Sequence, residues 1–486
     1  MSGSIVYAFG SFELDAAARR LTRAGESVPM SDRHVGVLLE LVSRPGAIVS
    51  KDAIIDAVWR GVAVTDNSLE QAISAIRRVI GDGSGGTPGI QTVARQGYRF
   101  IGTVTKTAAR ASGDALEALL APHRAWIEGR AALETLKRDQ ILHAREVFER
   151  VLRDVPDEAS AHVGLANALV LLFETTRVDP APDVAALEGA VRHAREACQL
   201  QTGYGEAWAT LGFVLDRIGR PMDALAASRR AIALEPDNWR HHFRLSYVGW
   251  GEERLRSAHR VLTLLPGFPL AHWLAATVHV ARQAFDDADR ELASAVAGEA
   301  PAAEGHARFS AIALHWLRGL IHLARGDDVH ALAEFEKELA NETSGHLYAR
   351  ECCANTWYAI GALRLRQGRS QEARAAFEQC IERVALHPGA RLGIAAAAPQ
   401  RVAGVSQPVA ESAVAQLRPV DAALWRAAGH VLAGSHGEAA ALMESALADA
   451  PAGNGGWLLP VEPLLRVHAA PDVWAGALAR LRARAA

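Results

Sequence analysis

From Thr65 to Asp82 the chain reads TDNSLEQAISAIRRVIGD; a glycine-rich run follows, and Ile90 to Phe100 reads IQTVARQGYRF. The first part has the marks of a helix. Thr65 or Asp66 can cap its N-terminus, and Gly81 can take the left-handed position after its last turn. Leu69, Ile73, Ile76 and Ile80 recur at the helical period and form one apolar stripe. Asn67, Ser68, Gln71, Ser74, Arg77 and Arg78 occupy the other side, and such groups read base edges and grip phosphates. The second part alternates like a short hairpin, with Arg95, Gln96 and Gly97 near its tip. Gly81 to Gly86 formally fits a GxGxxG pattern. That fingerprint needs a strand before it and a helix after it, and here it sits between a helix and a hairpin. It reads as a connection to the hairpin, not as a nucleotide site.

The surrounding residues extend the pattern. Ile5 to Met30 alternates apolar and polar residues with breaks at Gly10 and Gly25, as short strands do. Ser31 opens a helix with Val35, Leu38, Leu39 and Val42 on its apolar face, closed by Arg44-Pro45-Gly46. Ser50 caps another helix, Lys51 to Trp59. Together with Phe9-Gly10-Ser11-Phe12-Glu13-Leu14-Asp15, Arg20-Leu21-Thr22, Val58-Trp59 and Gly97-Tyr98-Arg99-Phe100, these segments resemble the output domain of OmpR/PhoB-type response regulators of bacteria. The resemblance covers roughly residues 4 to 104. It implies an α+β winged helix-turn-helix: a four-stranded N-terminal sheet, three helices and a C-terminal hairpin wing, with the third helix in the major groove of double-stranded DNA. By that resemblance Asn67, Ser68, Gln71, Ser74 and Arg78 face the groove, Arg77 serves bases or flanking phosphates, and Arg95 with Gln96 lies at the wing tip. A dimer on DNA is implied as well. Trp59, Tyr98 and Phe100 read as packing residues.

Composition sets the limits. With 486 residues the chain is too long for one ordinary domain, and half of it is hydrophobic, enough for sizeable cores. The net charge of −3 gives no global sign of nucleic-acid binding. Residues 1–104, however, hold 11 Lys and Arg against 10 Asp and Glu, while the segment from Gln71 to Phe100 holds four Arg and one Asp. Positive charge is thus concentrated on the reading helix and wing. The four cysteines have no metal-ligand or disulfide spacing and read as reduced core thiols. There is no signal-like N-terminus. The most apolar stretch, Ala166 to Phe173, is far short of the ~18 residues needed to span a bilayer. The expectation is a cytoplasmic protein.

After a linker over residues 105–120, alanine, leucine and arginine dominate. Trp208, Leu211, Gly212, Leu215, Ala224, Ala231 and Pro236 fall on the positions of a 34-residue tetratricopeptide repeat. So do Trp357, Gly361, Gly368, Ala373 and Phe377, and so do Gly319, Gly326, Ala331 and Phe335. Weaker copies surround Ala144 and Phe148, Ala288 and Ala295, and Ala439 and Ala446. Residues 121–486 therefore resemble an all-α solenoid of about eight helix pairs, stacked because no pair buries its apolar face alone. The family's groove positions, carried onto the clearer copies, include Phe213, Trp316, Asn355 and Tyr358 as partner contacts; packing between repeats is the other reading of Trp316 and Tyr358. The partner implied is RNA polymerase or another protein.

No HExxH, P-loop or GxSxG motif occurs, so no catalytic residue, metal ligand or cofactor is assigned. His241-His242 reads as a solvated helix end. The reading is a one-component transcriptional regulator with a sensory or protein-interaction solenoid. The alternative is a repeat scaffold whose winged helix docks a protein.

Overall fold

The computed structural model describes residues 5–59, 66–81, 88–108, 113–298, 312–398 and 417–486. The chain divides into two compact units, Met1–Leu119 and Leu120–Ala486.

In the first unit β1 (Ile5–Phe9), β2 (Phe12–Asp15), β3 (Arg20–Arg23) and β4 (Glu26–Val28) form an antiparallel meander. Then come α1 (Asp32–Val42), β5 (Ile48–Val49), α2 (Lys51–Trp59) and α3 (Asp66–Ile80). The wing is β6 (Gly89–Val93) and β7 (Gly97–Ile101), with β5 paired to the other edge of β7. Ser31 and Ser50 act as the helix caps their positions imply, accepting from the backbone N–H of His34 at 3.3 Å and of Ala53 at 3.2 Å. Gly81 has φ +103°, and its N–H donates to Arg77 O, ending α3. The residues proposed as the α3 cap, and the rest of the glycine run, lie outside the described residues apart from the helical backbone of Asp66.

The N-terminal sheet has five strands, not four. Thr105–Ala108, at the start of the stretch read as a linker, is β8 and pairs antiparallel with β1 from Ile5↔Ala108 to Ala8↔Thr105. A fragment ending at Val104 would strip the edge of β1. One meant to fold needs residues past Ala108.

The second unit is helical: α4 (Gly113–Glu134), α5 (Arg138–Asp154), α6 (Ala159–Thr176), α7 (Val184–Leu200), α8 (Gly205–Arg217), α9 (Pro221–Leu234), α10 (Trp239–Val248), α11 (Gly251–Leu264), α12 (Pro269–Ala281), α13 (Phe285–Gly298), α14 (Leu314–Ala324), α15 (Asp328–Leu339), α16 (Ala349–Arg366), α17 (Ser370–Arg383), α18 (Pro388–Ala396), α19 (Pro419–Leu432), α20 (His436–Asp449) and α21 (Pro471–Arg484). Neighbouring helices pack because a phenylalanine of one enters a gap left by glycine on another. Phe148 sits against Gly129 and Gly164, Phe335 against Gly319, and Phe377 against Gly361 and Gly393. No described helix is long and apolar enough to cross a membrane. Cys198, Cys353 and Cys380 are buried and Cys352 is half-buried, all four as free thiols.

The array also closes on itself. Leu347 N–H donates to Leu136 O at 2.8 Å, and Arg350 pairs with Asp179 at 2.7 Å. Glu174, in α6, accepts from Tyr348 Oη at 2.8 Å and pairs with Arg217 at 2.9 Å and Arg177 at 3.2 Å. Burial opposes the charge of Arg177, yet Glu351 and Glu174 hold its pKa above the ordinary arginine value.

One buried carboxyl lacks such a cation. Glu462 accepts from Tyr358 Oη and, at 3.2 Å, from the N–H of Leu464. Burial pushes its pKa up to about 7, and the two hydrogen bonds only partly oppose this. A carboxyl with a raised folded pKa favours the fold most below its unfolded value near 4.5, and that contribution is lost as pH rises through 7. The loss is about 3 kcal/mol at most, at ~1.4 kcal/mol per unit. Wild-type protein is therefore expected to melt lower at pH 8 than at pH 5 by more than Glu462→Gln does. Parallel melting curves for the two proteins across this range would exclude Glu462 as the titrating group.

Candidate nucleic-acid interface

The apolar stripe of α3 is its buried face: Leu69, Ile73, Ile76 and Ile80 all lie in the core of the first unit, with Leu38, Ile54, Trp59, Tyr98 and Phe100. The opposite face follows from geometry. At about 100° per residue, Gln71, Ser74 and Arg78 fall within roughly 60° of arc. All three side chains are exposed, and none makes a hydrogen bond or ion pair among the described residues. Ser68 is half-buried on the flank, and the side chain of Asn67 lies outside the described residues.

Arg77 is engaged within the unit. It lies roughly 100° round the helix from Arg78, which turns it toward the wing and away from the reading face. Its Nε donates to Ile90 O at 2.9 Å and its Nη2 to Thr92 Oγ1 at 2.7 Å. It ties α3 to β6 and sets the angle between helix and wing. Arg99 is also engaged within the wing, through Gln91 Oε1. Of the four arginines between Gln71 and Phe100, Arg78 and Arg95 are exposed and make no hydrogen bond or ion pair among the described residues.

The wing turn is closed by Gln96 N–H donating to Val93 O at 3.0 Å. Arg95, at its third position, has φ +64°, where a β-turn of this kind favours glycine. Both Arg95 and Gln96 are exposed. Lys51 Nζ, paired to Glu70 at 2.9 Å, braces α2 against α3.

The groove positions of the solenoid do not form an open surface. Tyr358 is 4% exposed, packed among Phe377, His387 and Trp425, with its hydroxyl on Glu462. It cannot touch a partner, and its assignment as a contact is overturned. Asn355 Oδ1 is hydrogen-bonded to His387 at 3.1 Å. Phe213 and Trp316 are 2% and 8% exposed. Phe213, Trp316 and Asn355 instead border one partly open cavity of about 410 Å³. Its other walls come from residues spread between Trp126 and Leu458, a convergence that no repeat spacing announces. His241 is likewise buried, not solvated, and bonds Glu235 Oε2 at 3.0 Å. Among the described residues, His322, Asp327 and His330 also converge. Asp327 there caps α15, accepting the His330 N–H at 3.2 Å and the ring Nδ1 at 2.7 Å, while His322 Nδ1 lies 3.4 Å from the same carboxylate.

A buried stripe, an exposed polar face on the third helix and a hairpin braced against it define a winged helix-turn-helix of the OmpR/PhoB type, followed here by a tetratricopeptide-repeat array. Residues 25–100 match the family described as "Transcriptional regulatory protein, C terminal", and residues 354–383 match a tetratricopeptide repeat. The N-terminal domain is similar to the cholera toxin homolog transcriptional activator of Vibrio parahaemolyticus, 34% identical over 17% of this chain and 28% of that protein. It is similar to the transcriptional activator CadC of Escherichia coli, 27% identical over 19% of this chain and 18% of that one. Among solved structures it resembles the DNA-binding domain of E. coli CadC, with 25% identity over 22% of this chain and 99% of that one and a TM-score of 0.20. The chain thus spans less than a third of the curated relatives it matches.

Proposed function

We propose that this chain is a sequence-specific DNA-binding transcriptional regulator of the one-component type, with the solenoid as its sensory region. One observation carries the reading: Gln71, Ser74 and Arg78 share an exposed face on α3 that has no partner among the described residues, in the unit that also exposes Arg95 and Gln96 at the wing tip. Amide, hydroxyl and guanidinium groups on one helix face suit base edges in the major groove. An arginine at a wing tip suits a narrow, A·T-rich minor groove. Two half-sites about one helical turn apart fit a dimer of such domains.

Arg95 sharpens the test, because stability and binding should move in opposite directions. A non-glycine residue held left-handed costs of order 1 kcal/mol, and Arg95→Gly removes that cost. The variant is expected to melt no lower than wild type while losing its preference for A·T flanks. Arg78→Ala is expected to weaken binding about 5- to 150-fold, equivalent to ~1–3 kcal/mol, and to relax specificity at one base pair. Gel shifts on DNA upstream of the protein's own gene measure both. Wild-type affinity in Arg78→Ala, together with unchanged flank preference in Arg95→Gly, would remove this face from DNA recognition.

A further inference from the structure

The solenoid cavity has a charge imbalance. Four arginines border it, Arg130, Arg177, Arg240 and Arg244, against three carboxylates, Glu134, Glu206 and Glu351. Three of the arginines are paired. Arg130 meets Glu206 at 3.2 Å, Arg240 meets Glu134, and Arg177 meets Glu351 at 2.5 Å. Arg244 makes no ion pair among the described residues, although Glu206 lies near enough to favour its charge. Its Nη2 donates to Asn167 Oδ1 at 2.8 Å, and its guanidinium lies 4.1 Å from the centre of the Phe213 ring. Asn167 is itself held, donating to Val163 O and to Thr210 Oγ1 at 2.9 Å. The guanidinium is therefore fixed in place with most of its donors unspent. Burial lowers its pKa only to about 10, so it is charged at neutral pH. The two histidines on the wall, His241 and His346, are held toward the neutral form by burial and add no positive charge.

The rest of the wall is apolar and rich in tryptophan. Trp126, Trp239, Trp273, Trp316 and Trp457, five of the chain's eleven tryptophans, border this one space. In a chain with 6% aromatic residues, that concentration selects for a flat, apolar body. A cation in such a wall with no carboxylate in direct contact leaves room for an anion to join it.

We infer that the solenoid cavity binds a small aromatic monocarboxylate, its ring among the tryptophans and its carboxylate on Arg244. This rests on the reading of the solenoid as the sensory region, and it names the chemistry of the signal. Tyr348 and Glu351 border the cavity and also join the seam that closes the array onto α6.

The test uses the full-length protein without DNA. Benzoate, 1-naphthoate and indole-3-acetate are titrated against tryptophan fluorescence and melting temperature, with 1-naphthamide as the neutral isostere. At least one carboxylate is expected to quench saturably and raise the melting temperature, with 1-naphthoate bound about tenfold tighter than the amide, as a charged hydrogen bond predicts. Arg244→Met is expected to abolish that preference while still binding 1-naphthamide. Should Arg244→Met lose its helical circular dichroism, Arg244→Lys replaces it, keeping the charge and losing the forked donor geometry; a reduced preference there supports the assignment. No carboxylate binding below about 1 mM, equal binding of 1-naphthoate and 1-naphthamide, or binding only of an acidic peptide would each overturn it. Gel shifts with and without the bound carboxylate separate the two readings. Ligand binding with no change in DNA affinity sinks the sensory role and leaves the site; DNA binding with no ligand binding sinks the site alone.

Discussion

Gly97→Ala is expected to dismantle the wing. Gly97 has φ +139°, a region that side chains other than glycine's rarely enter. A Cβ built there would stand 2.1 Å from Val49 O and 2.8 Å from Ser50 Cα. Both obstacles are backbone, so no rotamer change relieves them. The β5–β7 pairing at Ile48↔Arg99 and Val49↔Tyr98 must open, and it draws Tyr98 out of the core. Backbone strain of ~1–3 kcal/mol plus the lost pairing puts the cost at about 3 kcal/mol or more. Hydrogen-exchange mass spectrometry should show peptides over residues 46–52 and 89–101 losing protection, with the solenoid peptides unchanged and DNA retention lost. Unaltered exchange in the wing would mean that β5 does not approach Gly97 as described.

The second large effect concerns the solenoid. Phe377 in α17 fills the space above Gly361 in α16 and Gly393 in α18. A Cβ on Gly393 would lie 2.3 Å from the ring and one on Gly361 2.6 Å from it, so the three residues form one fitted contact across three helices. Phe377→Ala leaves a cavity there and is expected to cost about 3–5 kcal/mol. Gly393→Ala overfills the same contact and is expected to cost about 1–3 kcal/mol. Because the two changes err in opposite directions, Gly393→Ala with Phe377→Ala should cost less than the two singles added. Chemical denaturation of the four proteins forms a double-mutant cycle. Strict additivity would show that ring and glycine are not coupled.

These two sites differ in how far they could be read from sequence. The glycine–phenylalanine contacts follow a repeat spacing, since each lies within a helix pair or between neighbours. The α3 stripe was legible for a similar reason: Leu69, Ile73, Ile76 and Ile80 need only their own periodicity to show which side is buried. The Gly97–Val49 approach was half legible. A glycine after a hairpin tip is visible in sequence, but the strand it touches is some fifty residues earlier. Thr105–Ala108 was misread as linker because four residues of Thr-Lys-Thr-Ala carry little apolar signal, and their partner β1 lies about a hundred residues away.

The sequence by itself determined the two classes of architecture, the buried and exposed faces of the reading helix, and the small-against-large packing of the repeats. All of these are local, because helical period and repeat spacing act between residues close along the chain. Tertiary structure alone decided that Arg77 is an internal tether while Arg78 is exposed, for the two are adjacent in sequence and differ only in what the fold places beside them. It alone decided that Tyr358 is core. It alone gathered Trp126, Phe213, Arg244, Trp316 and Trp457 around one cavity. Their separation along the chain exceeds three hundred residues, and only the way successive helix pairs stack and close on themselves can bring such residues together.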